Sequence, residues 1–213
     1  IANSNNVAKR IKKHYRRESK VIYPPVRTSM FKKSDTDEGY YLVVSRLVPY
    51  KRIDLVAEAF TKLGLLLKII GDGSEYKNVA SKAGPTVEML GRVDDETVLK
   101  YMQGCHAFLF PGEEDFGITP IEAEACGKPV IALGKGGALE TVEENKTGVF
   151  FAEQTVESVA DAVERFKKIE FDGDYIRKHA EKFSEERFRK ELKEFFESEY
   201  EKFKNGQNVE DFE

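Results

Sequence analysis

From Tyr40 onward, short apolar runs alternate with amphipathic stretches, and this alternation limits the fold more than any other feature of the chain. YYLVVS (40–45), LLLKII (65–70), TVEML (86–90), HAFLFP (106–111), PVIAL (129–133) and GVFF (148–151) are strand-length and rich in branched or aromatic residues. Between the first two, RIDLVAEAF (52–60) puts Ile53, Val56, Ala57 and Phe60 on one helical face. SEYKNVASKA (74–83), DDETVLKYMQGC (94–105), PIEAEACG (120–127), ALETVEE (138–144) and residues 156–169 read as further helices. Parallel strands need long crossovers, usually helical, so this grammar predicts a parallel sheet of about six strands with helices on both faces.

The expected fold class is therefore α/β, a single Rossmann-like domain, followed by a long C-terminal helix. That last helix covers residues 184–204, with Phe188, Leu192, Phe195, Phe196, Tyr200 and Phe203 at i+3/i+4 spacing. Ahead of the alternation, IANSNNVAKRIKKHYRRES reads as a strand end, a polar turn and a basic helix capped by Ser4, Asn5 or Asn6. VIYPPV is extended and stopped by Pro24 and Pro25, and residues 32–39 form a polar loop. The chain thus divides into 1–38, 39–182 and 183–213. It opens at Ile1, in what reads as the tail of a strand, and is expected to be a piece of a longer protein.

Hydrophobic residues make up 40% of the chain, enough for a sizeable core. Lys and Arg number 34 against 38 Asp and Glu, a net charge of −4, which is not the balance of a nucleic-acid binder. No apolar run approaches the roughly 20 residues of a membrane span. Cys105 and Cys126 alone make no disulfide framework, and a cytoplasmic setting is the default expectation.

Ligands of open parallel sheets bind beyond the carboxyl ends of the strands. After the fourth strand runs PGEEDFGITPIEAEACG (111–127). Thr119 reads as an N-cap, Pro120 as the first helical residue and Glu122 as the third, a T-x-x-E capping box. On that reading Glu122 only closes the helix start. The same start is also an anion site, because the N–H groups around Gly117, Ile118 and Thr119 point outward with the positive dipole end behind them. Glu114 stands eight residues before Glu122 on the loop, so one carboxylate could meet a sugar and the other a ribose. A carboxylate-rich loop taken alone is more often just solvated.

SRLVPYKR (45–52) places Arg46 and Lys51 on either side of a Pro-containing turn. They are either a surface pair or, since cations are unfavourable at a helix N-terminus, partners of an anion shared with the glycine loop. A fork donor and a point charge together suit a diphosphate. The G-D-G (71–73) and G-K-G-G-A-L-E (134–140) loops carry Tyr76 and Leu139 where a dinucleotide fingerprint needs its third glycine. A nicotinamide site is therefore unattractive, and no P-loop or G-x-S-x-G elbow occurs. His14, His106 and His179 show no metal-ligand spacing.

The run EDFGITPIE (114–122) resembles the E-x7-E motif of retaining family 4 glycosyltransferases of the GT-B class. SRLVPYKR, IIGDG, LGRVDDE, EACGKPVIA and GGALETVEENKTG match the same family in order, so the resemblance covers roughly residues 40–151. The wording looks most like mannosyltransferases of surface-polysaccharide assembly that use GDP-mannose. The resemblance implies that Arg46 and Lys51 hold the donor diphosphate, that Glu122 binds the ribose hydroxyls and that Glu114 faces the transferred sugar. It makes Glu114, Arg46 and Lys51 the catalytic set. Backbone amides from Phe116, Gly117, Ile118 and Thr119 would receive phosphate or sugar oxygens, and Gly71, Arg92 and Val93 would form the base pocket. No metal and no other cofactor is implied, since cations and the helix dipole neutralise the leaving diphosphate.

A GT-B enzyme has two Rossmann-like domains, and by resemblance this chain is the C-terminal, donor-binding half. The glycan or lipid-linked acceptor would belong to the missing half, so this half alone is expected to bind donor and transfer little or nothing. The full-length protein is expected in the cytoplasm or at the inner face of the membrane. Alternatives are a UDP-sugar-dependent transferase and a non-catalytic nucleotide-sugar-binding module. A sugar-nucleotide epimerase is disfavoured by the E-x7-E spacing. Whether retaining transfer would use a covalent intermediate or same-face attack stays open.

Overall fold

The computed structural model describes residues 1–206, so the end of the 183–213 stretch lies outside the described residues. After helix α1 (Asn5–Tyr15), strands and helices alternate as β1 (Tyr41–Val44), α2 (Ile53–Leu63), β2 (Leu67–Ile70), α3 (Tyr76–Lys82), β3 (Val87–Gly91) and α4 (Asp95–Gly104). The series continues with β4 (Ala107–Phe110), α5 (Ile118–Ala125), β5 (Val130–Leu133), α6 (Ala138–Thr141), β6 (Gly148–Phe151), α7 (Val156–Phe166), α8 (Gly173–Ala180) and α9 (Glu185–Lys204). All six strands pair in parallel in the order β3-β2-β1-β4-β5-β6. The α/β fold expected from the alternation is the fold observed.

Local chemistry sets the helix ends. Asp94 and Thr155 accept the Thr97 and Ser158 N–H groups at the starts of α4 and α7, and Gly64 ends α2 in the left-handed region at φ 65°. Successive strand side chains go to opposite faces. Val43, Leu109, Ile131 and Val149 join Val56 and Phe60 of α2 and Val159 and Val163 of α7 in one buried cluster. Leu42, Phe108, Phe110 and Ala132 join Met102 of α4 and Ile121 and Ala123 of α5 in the other.

Helix α8 was not anticipated. Asp172 Oδ1 accepts from the N–H groups of Asp174 and Tyr175 and starts eight residues of helix. Ahead of β1, Val26 and Phe31 are buried in the second cluster, and Ala2 pairs with Val21 in an isolated parallel bridge. Among the described residues no helix is long and apolar enough to cross a membrane.

Helix α9 buries no residue completely, and Phe196, Tyr200 and Phe203 are 59%, 64% and 70% exposed. Phe188, Leu192 and Phe195 are half-buried nearer its start. Few buried apolar contacts mean easy local opening. Amide hydrogen exchange over residues 196–204 is therefore expected to be much faster than over β4. Protection at the level of β4 in a monomer would contradict this.

Candidate functional site

The strand order sets the carboxyl ends of β3, β2, β1 and β4 side by side, and the winding reverses between β1 and β4. Crevices in open sheets form at such a reversal. The loops there lie backbone against backbone. The Leu47 N–H donates to Asp72 O at 2.9 Å, Glu75 N–H to Leu47 O at 2.9 Å, and Gly71 N–H to Gly91 O at 2.8 Å. A Cβ on Gly71 would stand 1.8 Å from Ser45 O, and one on Gly73 2.3 Å from Leu47 O. These glycines are required first by loop-on-loop contact.

Two cavities open on this edge. The larger, about 650 Å³, is lined by Val44, Ser45, Arg46, Gly71, Asp72, Arg92, Val93, Val98 and Thr119, among others. The smaller, about 320 Å³, is lined by Asn3, Pro24, Lys51, Phe110, Glu114, Asp115, Phe116, Gly117, Ile118 and again Thr119. The structure thus brings together Arg46, Gly71, Arg92 and Val93 on one side of Thr119, and Lys51, Glu114, Phe116, Gly117 and Ile118 on the other. Glu122 lines neither cavity.

The start of α5 corrects one expectation. Gly117, not Thr119, is the N-cap, with φ 92° and no side-chain cap hydrogen bond. A Cβ there would approach Phe110 Cζ to 2.9 Å, so only glycine turns the chain this closely under the ring. Pro120 becomes the third helical residue, where its missing N–H still costs no helical bond. Glu122 is then the fifth, too far along to reach back, and the T-x-x-E capping box is not formed. The first-turn N–H groups of α5 keep their capacity for an external acceptor.

Burial pushes the Glu122 carboxyl up to about 6; Arg27 opposes the shift and Asp95 adds to it. Arg27 and Asp95 themselves stand 3.8 Å apart. Three residues apart on α5, Thr119 and Glu122 share a helix face, so Glu122 sits one turn behind the point where the cavities meet.

Two of the cations have partners within the chain. Lys51 Nζ pairs with Glu114 Oε1, both side chains about a fifth exposed, and lies 5.9 Å from the centroid of Phe110. Arg52 Nε stands 3.3 Å from Asp54 at the start of α2. The chain's own carboxylates therefore offset the unfavourable charge at that helix start, and no outside anion is needed to explain it. Arg46 and Arg92 are exposed and have no ion-pair partner among the described residues.

The site is held from behind by residues that sequence reading passed over. Glu124, fully buried, accepts from His179 of α8 at 2.9 Å, and the other ring nitrogen of His179 lies 3.3 Å from Glu143. Burial pushes the Glu124 carboxyl up against the pull of His179. Hydrogen bonds led by the Tyr175 hydroxyl bring Glu143 down to about 2. The apolar-helix pattern around Glu124 was the available signal, because a carboxylate on such a face needs a partner. The loop after β5 supports the 113–117 segment directly: Gly137 N–H donates to Glu114 O at 2.8 Å. A Cβ on Gly137 would stand 2.2 Å from Phe116 Cα. Gly137→Ala is expected to lower stability by about 1–3 kcal/mol, as overpacking does, by displacing the Phe116 loop. Denaturant unfolding measures it; an unchanged midpoint would show that the loop gives way freely.

The family model described as "Glycosyl transferases group 1" matches residues 26–189. An uncharacterised glycosyltransferase of Methanocaldococcus jannaschii is 29% identical over 154 residues, 70% of this chain and 44% of its own length. An alpha-1,3/1,6-mannosyltransferase of Dictyostelium discoideum is 27% identical over 79% of this chain and 51% of its own length. A GDP-mannose-dependent alpha-(1-6)-phosphatidylinositol monomannoside mannosyltransferase of Mycobacterium tuberculosis is 34% identical over 56% of this chain and 36% of its own length. The chain thus spans about half or less of the length of these relatives. Among solved structures, HepE of Anabaena in complex with UDP and glucose superposes with a TM-score of 0.78 at 23% identity, over 93% of this chain and 62% of that one.

Proposed function

The chain belongs to the glycosyl transferases group 1 family, and on that premise we propose that it is the C-terminal, donor-binding half of a retaining, family 4 GT-B glycosyltransferase. The observation that carries this reading is the meeting of two cavities at Thr119, over a helix start with no side-chain cap. A diphosphate fits at that junction. Arg46 on one side and Lys51 on the other neutralise its charge, and the Gly117, Ile118 and Thr119 amides donate to its oxygens. The base lies in the larger cavity against Gly71, Arg92 and Val93, and the sugar in the smaller one against Glu114 and Phe116.

In this reading the Lys51–Glu114 ion pair is a resting arrangement. As the sugar–phosphate bond breaks, negative charge grows on the leaving diphosphate, and Lys51 turns toward it while Glu114 is freed toward the sugar. Cations and helix dipole supply the charge stabilisation, so the proposal needs no metal. Glu122 takes the ribose hydroxyls, reaching forward from one turn behind Thr119. The acceptor site is proposed to lie on a second domain. Residues 1–38 then form the segment between domains, 39–182 the donor domain, and the helix from 183 the return path. The two cysteines, buried and unpaired, fit the reducing cytoplasm proposed for a nucleotide-sugar enzyme.

GDP-mannose is the donor we favour. The named dependence of the Mycobacterium tuberculosis relative supports it, and the UDP held by the Anabaena structure makes a UDP-sugar the second reading. Guanine offers N–H donors that uracil does not, and a site built to accept them loses affinity when they are missing. Competition titration is expected to show GDP bound at least about tenfold tighter than UDP, a difference of one good hydrogen bond. Equal or reversed affinities would remove the GDP assignment, and binding of neither would remove the donor-site reading.

The raised Glu122 carboxyl gives a separate test. Below about pH 6 it is protonated in the free protein, and above that it is an acceptor for two hydroxyls. Nucleotide affinity is expected to rise as pH increases through 6, and Glu122→Gln should weaken binding and flatten that step. The effect on folding has the opposite sign. A carboxyl raised by burial penalises the folded state once ionised, so the penalty grows from the usual carboxylate range up to about 6 and stays above it. Glu122→Gln should therefore not lower the melting temperature at pH 7. Loss of affinity together with a lower melting temperature would point to a structural role.

A further inference from the structure

Glu140 belongs to α6, behind the loop that supports Phe116, and its carboxylate is engaged by donors from the far end of the chain. Its Oε2 accepts from the Asn5 N–H at 2.7 Å, from Asn5 Nδ2 at 2.7 Å and from the Tyr23 hydroxyl at 2.9 Å. Its Oε1 accepts from the Asn6 N–H at 2.8 Å. Asn5 and Asn6 are the first residues of α1, whose first turn carries no acidic side chain. Their N–H groups have no acceptor within the helix, while the Val7 N–H is satisfied by Ser4 Oγ at 3.1 Å. Glu140 thus supplies, from more than 130 residues away, the negative group that α1 lacks.

The same carboxylate orients Tyr23, and Tyr23 touches the proposed donor loop. Its ring stacks on Phe116 at 5.4 Å with 22° between planes and meets Phe183 edge-on at 5.4 Å. Burial and the bond to Glu140 push the Tyr23 hydroxyl up to about 12, so it stays a donor across the physiological range. On the same side Arg10 of α1 holds Asp115 at 2.5 Å. Residues 113–117 are therefore gripped on one side by Gly136 and Gly137 and on the other by Tyr23 and Arg10.

We infer that Glu140 is a positioning residue for the donor site: by fixing Tyr23 and the start of α1 together, it sets Phe116 and hence the amides of Gly117, Ile118 and Thr119. The segment that precedes the sheet is thereby coupled to donor affinity through the Glu140 carboxylate, beside the Arg10–Asp115 pair. The functional consequence rests on the donor-site reading above, whereas the mechanical coupling does not.

The test compares wild type, Glu140→Gln and Tyr23→Phe in the whole 213-residue chain. Gln puts an NH₂ group among four donors and removes the charge. Phe keeps the ring on Phe116 and removes only the hydroxyl. Hydrogen exchange is read on the ligand-free protein, and GDP and UDP are titrated separately. Glu140→Gln is expected to speed exchange at residues 113–119 about tenfold and to weaken the tighter-binding nucleotide about tenfold, with exchange in β4 unchanged. Tyr23→Phe should give a smaller change in the same direction, about threefold. Faster exchange confined to residues 5–15, with residues 113–119 and affinity unmoved, would make Glu140 only a staple for α1 and overturn the proposal. If wild type binds neither nucleotide, the donor-site reading fails, and the exchange comparison still decides the coupling. If Glu140→Gln does not fold, the same two measurements on Tyr23→Phe decide it.

Discussion

At Gly71, Gly73, Gly136 and Gly137 a single added methyl would come within 2.4 Å of a neighbouring backbone atom. The loops at the carboxyl edge of the sheet are packed main chain to main chain, and the site depends on that contact. The loop after β2 lies on the loop after β1, which carries Arg46 and Lys51. The loop after β5 lies on the loop after β4, which carries Glu114 and the start of α5. Side chains at these positions would collide with the facing main chain. The two cavities, and the cations and amides around them, are what remains when these loops and the loop after β3 are brought this close.

On that scaffold the acidic residues of one short run take unrelated roles because helix phase separates them. Glu114 precedes α5 and pairs with Lys51 at the cavity wall. Glu122 and Glu124 are two residues apart, about 200° around the helix. One turns toward Arg27 and Asp95 of α4, and the other is buried against His179 of α8. Desolvation opposes the buried pair, so its net stabilisation is small, but it ties α5 directly to α8. The helix whose start faces the cavities is therefore held at its far side by a contact that lines neither cavity.

The segment before the sheet is tied into the same assembly. Val26 and Phe31 complete the apolar cluster beneath α5, and Arg187 at the start of α9 donates to the Tyr23 carbonyl at 2.9 Å. Tyr23, Phe116 and Phe183 form an aromatic triangle in which each ring meets the other two. Beyond this anchor α9 becomes exposed from Phe196 onward, which is why its apolar stripe is sheltered at Phe188 and open at Phe203.

The six strands, their order of appearance and the two faces of the sheet were legible in the sequence, because a period of two and a period of 3.6 are properties of the local backbone. The loops at the carboxyl edge followed from that alternation, and Arg46, Lys51, Glu114 and the Gly117–Thr119 amides from glycine and charge placed at strand ends, whereas Gly71, Arg92 and Val93 as a base pocket came only from the family resemblance. What was not legible involved meetings between distant segments. Thr119 has every local qualification for an N-cap, yet the packing of Gly117 under Phe110 placed the helix start two residues earlier and dissolved the capping box. Lys51 looked short of an anion until Glu114, 63 residues on, was brought beside it. Nothing local to Glu140 showed that Asn5, Asn6 and Tyr23 would arrive at it from the other end of the chain. Local propensity is settled by a residue and its near neighbours, whereas the partner of a charge or an orphan N–H is settled by which loops the sheet brings into contact.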